Sequence, residues 1–199
     1  MSLFNRLSDE GRIAMLQFNV PPLPDKRPYS LEFAARRLFL GGTPTEYKPY
    51  ALVFNYIRLT DLACDEYESA RRNLNIVLEE KEDFYSARLK ASNHFEVCID
   101  SLKIAICFLE LIAAEPSLGE AFTNSYLFGE IKTQVVSMRN TMQHLDERIK
   151  KGQIQLGEPL CVFPKENGID LGKHSILYND LFEWLKQLKA CSAELAKSS

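Results

Sequence analysis

The sequence predicts an all-α fold: an antiparallel four-helix bundle with an N-terminal arm and a small β-hairpin inserted between the third and fourth long helices. Three observations carry that expectation. Four long segments repeat apolar residues at alternating spacings of three and four, the period of an amphipathic helix. The connections between them are short, which favours antiparallel neighbours. Before the last of them the pattern changes to short apolar runs around an Asn-Gly dipeptide, the signature of a hairpin.

The first segment, 49–80, carries Leu52, Tyr56, Leu59, Ala63, Tyr67, Ala70, Leu74 and Val77 along one side. The second, 83–115, sets Phe95, Ile99, Leu102, Ile106, Leu109 and Ala113 on one stripe. Further apolar residues surround it, as expected of the central, most buried helix. Pro116 ends it, and Ser117-Leu-Gly-Glu120 has the form of a capping box opening the next helical region. The third, 124–151, is the most regular, with Leu127, Ile131, Val135, Met138, Met142, Leu145 and Ile149 in one continuous stripe. The fourth, 175–196, repeats the pattern with Leu177, Leu181, Trp184, Leu188, Cys191 and Leu195. Between the last two, Leu160-Cys-Val-Phe163 and Ile169-Asp-Leu171 read as two short strands around Asn167-Gly168, a rim or lid at one end of the bundle.

Residues 1–48 form the N-terminal arm, and 49–199 the bundle, within a single domain. A short helix through Leu3, Leu7, Ile13, Leu16 and Phe18 gives way to an extended segment at Pro21-Pro22-Leu23-Pro24. A second short helix, 30–40, ends at Gly41-Gly42. The arm is expected to wrap the bundle.

At 199 residues the chain is long enough for one substantial core. A formal net charge of -3 excludes a generally basic surface for duplex nucleic acid but leaves room for a local basic site. Cys64, Cys98, Cys107, Cys161 and Cys191 are odd in number and contain no Cys-x-x-Cys, so they read as reduced, buried thiols of an intracellular protein. The start of the chain lacks the features of a signal peptide. The most apolar run, 104–114, is interrupted by Glu110 and is shorter than the roughly 20 residues of a membrane span. The expectation is a cytoplasmic protein with no membrane partner. No phosphate-cradling glycine loop, nucleophile elbow, paired-carboxylate metal motif or Glu-x-x-His pair is present, so no cofactor or metal is expected.

Chemistry concentrates in Arg139-Asn-Thr-Met-Gln-His144 on the third helix. At about 100° per residue, with Met138, Met142, Leu145 and Ile149 facing the core, the polar residues fall on two shoulders. Arg139, Gln143 and Asp146 share one; Asn140, His144 and Arg148 share the other, with Glu147 between them and away from the core. The cluster thus faces solvent or a partner chain. A guanidinium can grip a phosphate through two parallel bonds and neutralise developing charge. An imidazole that titrates near neutrality can move the proton of a ribose hydroxyl or of the leaving group. Asn140 can hold a phosphate oxygen or orient the imidazole. Gln143, Glu147 and Arg148 complete the candidate set as substrate-binding residues. One helix supplies few groups, and a symmetric dimer would double them.

Arg139-Asn140-x-x-x-His144, late in a long helix of a four-helix bundle, resembles the Arg-x(4–6)-His signature of the HEPN superfamily, in which a polar residue, often Asn, follows the Arg. The continuation His144-Leu-Asp-Glu-Arg-Ile149 is similar to a run in uncharacterised bacterial members of that group. The likeness spans the chain from Pro49 onward and leaves the arm outside. It implies an all-α homodimer that cleaves RNA without a metal, as in toxin–antitoxin, phage-defence or RNA-processing systems, with Arg and His of both protomers lining a shared cleft. On that basis Arg139 binds the scissile phosphate, His144 is the general acid or base and Asn140 assists. A cognate antitoxin or accessory protein is the further partner implied. Members that have lost catalysis bind nucleotides or partners, and a non-catalytic helical interaction protein is the alternative.

Plainer readings stand beside these. Arg139 is within helical reach of Gln143 and Asp146, as an ordinary surface ion-pair residue would be. His144 could be half-buried with its ring on the bundle. Arg148, Lys150 and Lys151 suit the negative end of a helix dipole without any ligand. Arg88 and His94 give a second match to the Arg-x(4–6)-His signature, on the second helix and without the following Asn, and His94 reads as a satisfied core or interface residue. Glu110 needs a cation from another helix or an interface. Tyr47, Tyr50, Phe54, Tyr56 and Trp184 read as core.

Overall fold

The computed structural model describes residues 18–39, 47–79, 84–118, 129–155 and 157–198. These are mostly helical, with one small antiparallel sheet. Helix α1 is Tyr29–Phe39, α2 Tyr47–Glu79, α3 Phe84–Ala113, α4 Gly129–Gln143, α5 Leu145–Lys150 and α6 Tyr178–Ser198. A single 3-10 turn, Pro116–Leu118, follows α3, so the proline opens a turn just beyond the helix it was expected to end.

The two longest helices, α2 and α3, pack along each other over most of their length. Their apolar period brings Tyr56, Ala63, Tyr67, Ala70 and Leu74 of α2 against Ala91, Phe95, Cys98, Ile99 and Leu102 of α3, all fully or almost fully buried. Ion pairs between them show their direction. Lys48 meets Glu115 at 2.6 Å and Glu66 meets His94 at 2.6 Å, so numbers rise on one helix as they fall on the other. Helix α4 lies antiparallel on α3 by the same reasoning. Lys132 pairs with Glu110 at 2.5 Å and Arg139 with Asp100 at 3.0 Å. Glu110 therefore pairs with a cation of another helix, although its side chain is 40% exposed and not buried in the apolar run. Helix α6 packs on α2, and α1 lies against both.

The described part of the arm is built into this core. Phe18, Val20, Leu23, Tyr29 and Phe33 are buried. Phe33 stacks on Tyr50 and Phe54 at 5.4 and 6.3 Å. The extended segment is held by its backbone: Leu23 N–H donates to Glu68 Oε1 at 2.7 Å, and Tyr67 donates its hydroxyl to the Pro21 carbonyl at 2.9 Å. Helix α1 is capped from a distance, its Ser30 N–H donating to Asp61 Oδ2 of α2 at 2.7 Å. The helix expected from Leu3 to Phe18, apart from a non-helical Phe18, the Gly41-Gly42 stop and the second half of the 117–120 capping box lie outside the described residues. Tyr47, expected in the core, is instead 78% exposed at the first turn of α2, whereas Tyr56 and Trp184 are buried.

Two corrections concern the C-terminal half. The expected continuous third helix is divided at His144, whose backbone (φ -100°, ψ 13°) leaves the helical region. The hydrogen-bond ladder survives the kink: His144 N–H donates to Asn140 O, and Arg148 N–H to His144 O, each at 3.0 Å. Burial stops there, because Val135 and Met138 are inside while α5 has no buried residue and Ile149 is 53% exposed. The apolar stripe thus outlasts the core it was expected to face. Helix α5 closes with Gly152 at φ +65°, its N–H reaching Ile149 O and the Gln153 N–H reaching Arg148 O, the paired bonds of a Schellman ending.

The second correction enlarges the hairpin. Strands β1 (Phe163–Pro164), β2 (Gly168–Leu171) and β3 (His174–Leu177) form a sheet in that order, all antiparallel. Residues 175–177 were expected to open the fourth helix, because Leu177 stands four before Leu181. They alternate instead, Ile176 buried between exposed Ser175 and Leu177, and the helix begins at Tyr178. The Asn167-Gly168 dipeptide does mark the first turn, but Gly168 is there for space. A Cβ on it would lie 2.4 Å from the Ile176 carbonyl oxygen of β3.

Candidate functional site

The kink at His144 separates the two arginines. Along a helix, five residues give about 7.5 Å of rise and about 140° of turn, so Arg139 and His144 of one chain do not converge on a single small group. Four residues give about 6 Å and about 40°, which places Arg148 nearer than Arg139 to the side of His144.

Arg139 turns toward α3. Its Nε donates to Asp100 Oδ1 at 3.0 Å, and its side chain is only 20% exposed against 46% for Asp100. The partner is therefore neither Gln143 nor Asp146, the two neighbours the helix alone offers; Asp146 pairs with Lys150 at 3.1 Å. His144 is the open member of the set. Its side chain is 60% exposed, with Nδ1 3.7 Å from Glu147 Oε1, an ion-pair distance too long for a hydrogen bond. That exposure excludes the half-buried reading of the ring. Asn140, Gln143 and Glu147 are exposed as well. Glu147 also stands 3.6 Å from Lys151.

Arg148 turns the other way, onto the polar segment after α5. Its Nη2 donates to Glu158 Oε1 at 2.5 Å, and the second oxygen of Glu158 accepts the Gln155 N–H at 3.2 Å. The Arg148 guanidinium and that N–H hold the Glu158 carboxyl below its usual range. Here the chain folds around an open cleft of about 690 Å³, lined by Thr141, Arg148, Gln153, Gln155, Gly157, Glu158, Pro159, Gly172, Lys173 and His174. The far wall is the β2–β3 turn. Gly172, at φ +58°, has no side chain to intrude, and a Cβ there would sit 2.9 Å from Glu158 Oε1 and 3.4 Å from Arg148 Nη1. Burial, reinforced by the charges of Lys173 and Arg148, pushes the His174 imidazole below its ordinary value.

The structure therefore exposes Asn140, Gln143, His144 and Glu147 on one surface and sends the two arginines to opposite sides of it. Sequence reasoning missed Asp100, Glu158, Lys173 and His174. Asp100 carried a signal comparable to that of Glu110, since both are acids on the most apolar helix, and both take a cation of α4.

The competing candidates have structural roles. His94 Nδ1 lies 2.6 Å from Glu66, which satisfies it although a third of it is exposed. Arg88 lies 3.9 Å above the Phe163 ring and donates to the Pro164 carbonyl, tying α3 to the sheet. All five cysteines are free; Cys64, Cys98 and Cys191 are buried, and burial raises the Cys64 thiol to about 12 and the Cys191 thiol to about 11. Among the described residues no group of three or more His, Cys, Asp or Glu is placed to hold a metal ion. No described helix is long and apolar enough to cross a membrane.

No protein-family model, curated protein or solved structure matches the chain.

Proposed function

We propose that this chain is a HEPN-like four-helix-bundle protein that cleaves RNA without a metal, at a site assembled from two copies of itself in the cytoplasm. The observation that carries the reading is the exposed His144 imidazole at the helix kink, with a carboxylate 3.7 Å from Nδ1. Phosphodiester cleavage by the ribose 2′-hydroxyl needs one proton taken from that hydroxyl and one given to the departing 5′-oxygen. One imidazole per chain serves one of these transfers, and a second copy supplies the other. Arg139, oriented by Asp100, neutralises the charge that develops on the phosphate, and Asn140 holds a phosphate oxygen. Gln143, Glu147 and Arg148 border the same strand. The antiparallel α2, α3 and α4, with α6 against α2, support the bundle part of the reading.

A second reading is favoured by one specific observation. Both guanidiniums of the candidate site are already engaged, Arg139 by Asp100 and Arg148 by Glu158. A helical protein that binds nucleotides, an antitoxin or an accessory protein through this surface, without catalysis, needs neither of them free.

The two separate on incubation of purified protein with single-stranded RNA in the presence of a chelator. Catalysis predicts cleavage that His144→Ala abolishes while the helical circular-dichroism signal is unchanged. No cleavage by the unmodified protein, or a strict monomer by light scattering at the assay concentration, favours the second reading.

A further inference from the structure

We propose that the cleft between α5 and the β2–β3 turn is a phosphate subsite for single-stranded RNA, adjoining His144 and gripping the strand beside the scissile bond. The inference rests on the RNA reading above but concerns a surface of which that reading uses Arg148 alone.

The cleft opens beside the candidate catalytic residue. Arg148 lines it and lies one helical turn beyond His144, the backbone bond from Arg148 N–H to His144 O linking the two positions. Its lining sets two cations, Arg148 and Lys173, against one acid, Glu158, on a chain whose net charge is -3. A concave patch of the sign opposite to the whole protein concentrates anions locally.

Glu158 does not cancel this. One of its oxygens takes Arg148 Nη2 and the other the Gln155 N–H, and its side chain is only 13% exposed. It acts as a brace that fixes the guanidinium plane, while the remaining donors of Arg148 stay available, since arginine has five. Lys173 is exposed at the tip of the turn and pairs with no carboxylate among the described residues. Gly172 lets that tip approach the Arg148–Glu158 pair, so that two cations from elements remote in sequence face one space. At about 690 Å³ the cleft falls within the size of small-ligand sites and accommodates a nucleotide unit.

The test uses the full chain carrying His144→Ala, so that RNA is bound and not cut, and a short fluorescein-labelled oligouridylate read by fluorescence anisotropy. Lys173→Ala, an exposed change that leaves the fold intact by circular dichroism, is expected to weaken binding several-fold. It should also lower the slope of log affinity against log salt by about 0.7, the loss of one phosphate contact to a single strand. Lys173→Arg should retain both. An unchanged affinity and slope for Lys173→Ala overturns the subsite, as does failure of the oligonucleotide to bind. Uridine monophosphate and inorganic phosphate are titrated as competitors; if either binds as tightly as the strand, the cleft is a free-anion site and the strand proposal fails. The two proposals fail separately. Binding sensitive to Lys173 without chelator-resistant cleavage by the unmodified protein leaves the subsite and removes the ribonuclease. Cleavage with a Lys173→Ala slope like that of its parent does the reverse.

Discussion

Arg139 of α4 and Asp100 of α3 are joined by a 3.0 Å bond from Nε to Oδ1, across 39 residues of sequence. Together with Lys132–Glu110, one heptad earlier on α4, it clamps that helix along α3. The same bond fixes the plane of the guanidinium proposed to meet the scissile phosphate.

Replacing Asp100 by Ala should therefore have two effects of different size. The pair is part-exposed, so stability to urea should fall by only about 0.5–1 kcal/mol. Cleavage should fall far more, because an unoriented guanidinium stabilises the transition state poorly. Exchanging the partners, Asp100→Arg with Arg139→Asp, should recover the stability and not the activity. Equal losses in both measurements would reduce Arg139 to a structural residue.

Asp61 and Lys189 are a different case. Their side chains are each 7% exposed and meet at 2.5 Å, with the Lys189 ammonium 5.1 Å from the Tyr29 ring centroid and the second Asp61 oxygen capping α1. Lys189→Ala leaves a buried carboxylate without a counter-charge and should cost about 3–5 kcal/mol in chemical denaturation. Adding Asp61→Asn, which keeps an acceptor for Ser30, should return part of that loss.

Acid should loosen the arm. Burial pushes the Glu68 carboxyl up, but the Leu23 N–H, the Lys26 ammonium and the charge of Arg71 outweigh it and hold it below its ordinary value of 4.5. A carboxyl depressed in the folded state stabilises the fold above its unfolded pKa, and that contribution is lost as pH falls through the folded one. The Arg27 guanidinium holds Asp25 well below the carboxylate range, which adds a loss of the same sign. Urea midpoints should thus fall as pH drops below about 4.5. Glu68→Gln should be less stable at neutral pH and show a shallower decline. A parallel decline in the variant would assign the acid sensitivity elsewhere.

Gly168→Ala should destabilise the sheet. The added Cβ would lie 2.4 Å from a backbone oxygen that cannot move without breaking the β2–β3 ladder, so a loss of about 1–3 kcal/mol is expected. Gly157→Ala is the comparison. Nothing lies within 4 Å of a Cβ there, but its φ of +88° makes it a test of backbone strain alone. Hydrogen exchange at the Ile169 and Ile176 amides should rise in the first variant only.

The sequence alone determined that the chain is helical, that α3 is ringed by apolar residues as a central helix is, and that a strand-like segment interrupts the pattern before the last helix. These follow from local period, which 33- and 30-residue helices repeat often enough to be unambiguous. Four residues are too few to distinguish the periods, so β3 was read as the start of α6. The polar groups of Arg139 to Arg148 were legible as a set outside the main core, whereas the partners that divide them were not. Whether a guanidinium meets Asp100, Glu158 or a phosphate depends on how neighbouring elements are turned and aligned, which only tertiary packing decides. The resulting surface differs from the one read on a helical wheel: His144 stands open at a kink, with Arg139 held on one side and an unforeseen cationic cleft at Arg148 on the other.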